Sequence, residues 1–294
     1  MSEERQWSGR THGTEWMHNA LTAFFKVLPL WLMYGVMGLV IPFYMLFNHK
    51  GYLSIYHYLR ARQGYGPLKA FFGCYGNHFL FGTAFLDRFA SYAGRRFQID
   101  VPDPQPVVKL SEQEQGFLLF ASHIGNHEMC GYMLNCEQKR MNVITFSGEK
   151  SYVRSNREKM LEGHNIRLIS ADGMEWLFTL NAALSDGEIV SIHADRVFGS
   201  PKMLDANILD APAHLPQGPF SIAAMRDLPV LSVFCIKTGL KRYKAYMFRL
   251  DTPDMASLGR KEKMEALATA YTASVGTVLK EHPLQWYNFF EFWE

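Results

Sequence analysis

Charged residues are spread unevenly along this chain, and the longest gap falls near its start. From Val27 to Asn48 the sequence VLPLWLMYGVMGLVIPFYMLFN carries no charge. A helix of that length matches the hydrocarbon core of a bilayer, so the segment is expected to cross a membrane or to lie embedded in one leaflet. Pro29 and Pro42 would break or kink a helix in water but are commoner in membrane helices. A buried core helix is the rival reading. The polar, acidic start (Glu3, Glu4) and the absence of a small-residue cleavage site argue against a cleaved signal peptide.

Around this segment the pattern is helical. Residues 1–20 are polar and read as a loose or interfacial start. Residues 50–95 mix aromatic rings with glycine and basic residues, which suits the headgroup level of a membrane, although most of these rings are better read as core. Lys26 precedes the apolar segment, whereas Lys50, Arg60, Arg62 and Lys69 follow it, a bias that keeps the rest of the chain on the cytoplasmic side.

Beyond residue 98 the periodicity changes. Strands are expected at 117–122, 142–147, 165–170, 188–194, 229–235 and 242–250, and helices at 127–138, 150–162, 173–185, 218–227 and 260–281. This alternation predicts an α/β fold: a mixed, mainly parallel sheet flanked by helices, behind an N-terminal membrane-associated helical segment. The proline-rich stretch Val101–Pro106 marks the seam. It divides the chain into a membrane-anchoring helical region (1–97) and an α/β domain (98–294).

Composition narrows the function classes. The chain has 294 residues, 48% hydrophobic and 14% aromatic, which excludes disorder, and a net charge of +2 leaves no basic footprint for nucleic acid. Cys74, Cys130, Cys136 and Cys235 lie in apolar surroundings without paired metal spacing, so reduced core thiols are expected and no metal is predicted.

In open α/β sheets, ligands gather beyond the carboxyl ends of the strands. Three polar signatures fall at such ends: Ser122-His123-Ile124-Gly125-Asn126-His127-Glu128, then Ser147–Lys150, then Asp195-Arg196. Eleven histidines and 28 acids in 294 residues give about one His-x4-acid match by chance, so position rather than spacing carries the first signature. His123 is expected to act as general base, with Glu128 holding Nδ1–H and fixing the tautomer. Backbone N–H groups near Gly125 and Asn126 could steady an oxyanion. His127 is secondary. No Gly-x-Ser-x-Gly elbow occurs, which favours direct attack by an acceptor over a covalent acyl-enzyme.

Arg154 and Arg157 lie in a basic stretch that could hold a phosphate or simply be a solvated helix face. Asp195 and Arg196 could orient substrate or brace the dyad, with a structural ion pair as the rival. Gly218, in Pro216-Gln-Gly-Pro219, would let backbone approach a ligand or merely make a turn.

In order and spacing these marks resemble the lysophospholipid acyltransferase superfamily, and within it the late (lauroyl/myristoyl) acyltransferases of lipid A biosynthesis. The resemblance runs from about residue 25 to 250. It implies an enzyme on the cytoplasmic face of the bacterial inner membrane, anchored by 27–48. Such an enzyme moves a fatty acyl chain from acyl carrier protein, or from acyl-CoA, to a membrane lipid. It implies no cofactor. His123 and Glu128 are the catalytic pair in that reading, and Arg154, Arg157, Asp195, Arg196 and Gly218 bind substrate. The end of the chain, Gln285–Trp293, is aromatic where a more basic tail is expected, leaving amino-lipid, ornithine- or glycine-type and aryl-type acceptors open. A lipid or thioester hydrolase, and a non-catalytic lipid-binding protein of the same fold, are the competing readings.

Overall fold

A computed structural model describes residues 15–47, 49–129, 138–145, 151–196 and 202–293. Four helices come first: α1 (Glu15–Val27), α2 (Leu30–Phe47), α3 (His49–Ala61) and α4 (Pro67–Tyr92). Helix thus starts at Glu15, inside the stretch expected to be loose. The apolar segment is α2, which continues through Pro42. It is long and apolar enough to cross a membrane by length and composition, and only 17% of it is buried.

The rest is an α/β assembly. Strands β1 (Gln98–Asp100), β2 (Phe117–Ala121), β3 (Met141–Thr145), β4 (Ile166–Ser170), β5 (Ile189–His193), β8 (Val230–Gly239) and β9 (Arg242–Arg249) form one sheet in the order β1-β9-β8-β2-β5-β3-β4. Every neighbouring pair is parallel except β8 and β9. Helices α5 (Gln105–Ser111), α6 (Ser151–Leu161), α7 (Glu175–Ser185), α8 (Gln217–Arg226) and α9 (Arg260–Glu281) complete the layers. The sheet core is apolar on both faces: Phe117, Leu118, Leu119 and Phe120 of β2 are all buried, as a strand between two helical layers requires.

The mixed α/β fold and four of the five expected helices stand close to their predicted ranges. Most of the expected helix 127–138 lies outside the described residues, as do Lys150 and residues 147–149. A hairpin, β6 (Met203–Ile208) paired antiparallel with β7 (Ala211–Pro216), was not legible. Its turn residues Leu209 and Asp210 both adopt positive φ without any glycine, and Pro212 and Pro216 break the strand signature. Cys74 and Cys235 are buried and in no disulfide among the described residues; Cys130 and Cys136 lie outside the described residues.

Candidate active site

The site is built by strand order. β2 and β5 are adjacent and parallel, with Ala121 opposite His193. Two residues beyond that rung on each strand stand His123 and Asp195, which therefore meet at the carboxyl edge of the sheet. His123 Nδ1 lies 3.0 and 3.1 Å from the two Asp195 oxygens, and the His123 backbone N–H donates to Oδ2 at 2.7 Å. The same carboxylate thus holds both the ring and the main chain of the histidine.

This corrects the pairing expected from spacing. Glu128 is not the Nδ1 partner. Its Oε1 accepts from Arg88 Nη1 of α4 and from Arg157 Nη2 of α6, both at 3.1 Å. The chain turns at Gly125 (φ +67°), where a Cβ would stand 2.1 Å from the Cys235 carbonyl oxygen, and a helical turn begins at His127. That turn sends Glu128 toward α4 and α6.

The backbone donors expected to receive an oxyanion are also taken. Gly125 N–H donates to Gln285 O and Asn126 N–H to Cys235 O, each at 2.7 Å. They hold the loop to β8 and to the C-terminal tail.

Residues beyond α9 run across the His123 loop: Tyr287 N–H donates to His123 O at 3.0 Å, and Ile124 bridges antiparallel to Trp286. Gln285 spans the end of β8, its side chain accepting from Lys237 N–H and donating to Lys237 O. Arg196 donates to Tyr287 O and lies over the Phe290 ring, so it faces the tail.

Three imidazoles cluster here. His193 sits 4.7 Å, centroid to centroid, from both His123 and His127. Burial is the main cause that lowers all three basicities; the Asp195 carboxylate opposes it at His123, and burial takes His127 down to about 4. The carboxylates behave oppositely. Burial alone would raise Glu128, but Arg88 and Arg157 overturn it and hold the group at about 2. Asp195 is likewise held well below the usual range by His123 and Arg196 against the effect of burial. At neutral pH the site therefore contains neutral histidines, two carboxylates and at least three guanidiniums.

Buried polar atoms of this cluster, His193 Nε2, Glu128 Oε2 and Arg88 Nε among them, have no hydrogen-bond partner among the described residues. A neutral histidine whose Nδ1 is fixed on a carboxylate, with Nε2 left to accept, can take a proton from a bound hydroxyl or amine.

Residues 83–294 match the model of a protein family described as bacterial lipid A biosynthesis acyltransferase. The chain belongs to that family. A search of the curated proteins gives no match. The bacterial lipid A biosynthesis acyltransferases are enzymes of lipid biosynthesis that take an acyl donor and a lipid acceptor, and the matched region contains every residue named in the cluster around His123.

Not every expected site residue gathers there. Arg157 does, through Glu128. Arg154 instead bonds to Glu158 one turn on, at 2.9 Å on the exposed side of α6. Arg140 and Arg167, from the same basic stretch, pair with Glu188 at the amino ends of the strands. Gly218 lies in the first turn of α8 with nothing within 4 Å of where a Cβ would stand, so no close approach demands glycine there. Arg88 went unnoticed in the sequence. The signal was available: Ala70–Leu86 carries no charge, and Asp87-Arg88 ends that run inside α4.

Proposed function

We propose that the chain moves a fatty acyl group from a thioester carrier to the hydroxyl or amine of a membrane lipid. Acyl carrier protein is the favoured donor and acyl-CoA the alternative; the place of action is the cytoplasmic face of the bacterial inner membrane. The observation that carries the reading is His123 Nδ1 on Asp195, beyond the carboxyl end of a central strand.

In the reaction, the acceptor gives its proton to His123 Nε2 as its oxygen or nitrogen attacks the thioester carbonyl. The tetrahedral intermediate collapses, the carbon–sulfur bond breaks, and the leaving thiolate takes the proton back from the imidazolium. Asp195 keeps Nδ1–H in place and stabilises the charged ring, as a positioning residue. Glu128 stays ionised and fixes Arg88 and Arg157, whose positive charge stands beside the developing oxyanion. The basic side chains around the cluster suit an acidic carrier protein.

The test is mass spectrometry of a reaction containing detergent-purified protein, acyl-loaded carrier protein and a membrane lipid extract, beside His123→Ala. A lipid that gains one acyl mass only with the intact chain supports transfer and identifies the acceptor. Free fatty acid alone would replace the reading with hydrolysis. No His123-dependent product would replace it with lipid binding.

A further inference from the structure

Helix α2 is long enough to span a bilayer, yet its packing ties both of its ends to one body. It lies antiparallel along α4. Tyr34, near its start, donates its hydroxyl proton to Asp87; Met37 sits over Gly82; and Tyr75 Oη donates to Gly38 O at 3.1 Å. Near its far end, Tyr44 packs 5.9 Å from His78, itself against Phe289 of the C-terminal tail.

The flanking elements make the same point. Before α2, Phe25 is fully buried against Leu86, Phe89 and Ala90, and the Arg95 guanidinium takes the carbonyls of Phe25 and Leu28 at 2.8 and 2.6 Å. After α2, the chain enters α3 at once. Ile55, Tyr58 and Leu59 of α3 are part of the main sheet core, and Tyr58 donates to Pro283 O. Asp87 in turn binds Lys237 and Tyr243 of the sheet.

The opposite face of α2 is bare. Trp31, Val36, Leu39, Phe43 and Leu46 are between 52 and 75% exposed, and α4 adds Leu68 and Phe72 at 71 and 63%. A contiguous apolar face of this extent marks a surface that something covers. Lipid fits it best: the helix carries no charge over its whole length, exposed Lys26 and Lys50 stand at its two ends where anionic headgroups would meet them, and the family's acceptor is a lipid.

We infer that α2 does not span the bilayer. It lies in one leaflet along α4, with residues before and after it on the same side of the membrane as the sheet. The protein is then monotopic, and α4, which carries Arg88 to Glu128, leads from the leaflet to the site. The inference rests on the membrane-bound reading above.

The experiment uses the full chain in sealed inverted membrane vesicles. Lys26→Cys, Lys50→Cys and, as reference on α9, Lys261→Cys are labelled with a membrane-impermeant maleimide, before and after permeabilisation, against the unsubstituted chain. The expected result is labelling of all three from the outer, cytoplasmic face without permeabilisation, with the protein retained after an alkaline carbonate wash. Lys26→Cys protected until permeabilisation, with Lys50→Cys and Lys261→Cys open, would make α2 a spanning helix and overturn the inference while leaving membrane attachment intact. Release of the protein by the wash would overturn the membrane reading itself, and release at twice the monomer mass would assign the bare face to a second copy.

Discussion

Two charged clusters sit at opposite ends of the parallel strands of one sheet, and they differ in what they leave unsatisfied. At the amino ends, Glu188 accepts from Arg167 and Asn142, Arg167 also donates to Asn142 Oδ1, and Arg140 lies 3.8 Å from Glu188. The arginines there are 39 and 50% exposed, and this arrangement is complete in itself. At the carboxyl ends, Arg88, Arg157, Glu128 and Asp195 are all less than a fifth exposed, acidities are displaced, and Glu128 Oε2 and His193 Nε2 have no hydrogen-bond partner among the described residues. Both clusters look alike in sequence, as arginines and acids near strand ends. Burial with unmet hydrogen-bonding capacity, rather than charge density, separates a place for chemistry from a brace.

The comparison can be broken from either side. The largest effect is expected from His123→Ala, which should cost about 10²–10⁴-fold in acyl-transfer rate while thermal unfolding stays close to that of the parent. Intact activity in that variant would remove the carboxyl-end cluster from the chemistry.

Acidification gives an intermediate effect. His127 is lowered to about 4 in the folded chain and titrates near 6.5 when unfolded, so the unfolded state binds more protons in that window. Stability should therefore fall as pH drops from about 6.5 toward 4, before Glu128, held at about 2, begins to protonate. Melting temperatures across this range check it; a His127→Gln variant should show a flatter fall, and an unchanged slope would refute the assignment. The acid limb of the rate should likewise lie below the ordinary histidine value, because burial lowers His123.

The smallest effect is expected at the other end of the strands. Glu188→Gln should cost about 1 kcal/mol of stability through its partly exposed partners and leave the transfer rate within about twofold of the parent. A rate loss above tenfold at matched folding would erase the distinction between the clusters.

Much of this architecture could be read from residues alone. The strand positions followed from apolar runs, and His123 and Asp195 were each placed at a strand's carboxyl end. Their partnership was not legible, because β2 and β5 are separated by two other strands in sequence and neighbour only in the sheet. The His-x4-Glu spacing pointed to a pair, but the positive φ at Gly125 turned Glu128 elsewhere. The tail's hold on the loop rests on main-chain hydrogen bonds, which leave no trace in side-chain identity. Arg88 is marked in sequence as a charge after an uncharged run, but its partner Glu128 is not, because the two meet only in the fold, where the guanidinium also packs against Phe85 and Phe89.

The most direct measurement compares acyl-transfer rates of Asp195→Asn and Glu128→Gln, both confirmed as folded, in one assay at neutral pH. With Asp195 as the group that holds Nδ1–H, Asp195→Asn should lose at least about 10²-fold and at least tenfold more than Glu128→Gln. A Glu128→Gln variant that loses as much or more, beside a nearly active Asp195→Asn, would contradict the account and return the orienting role to Glu128.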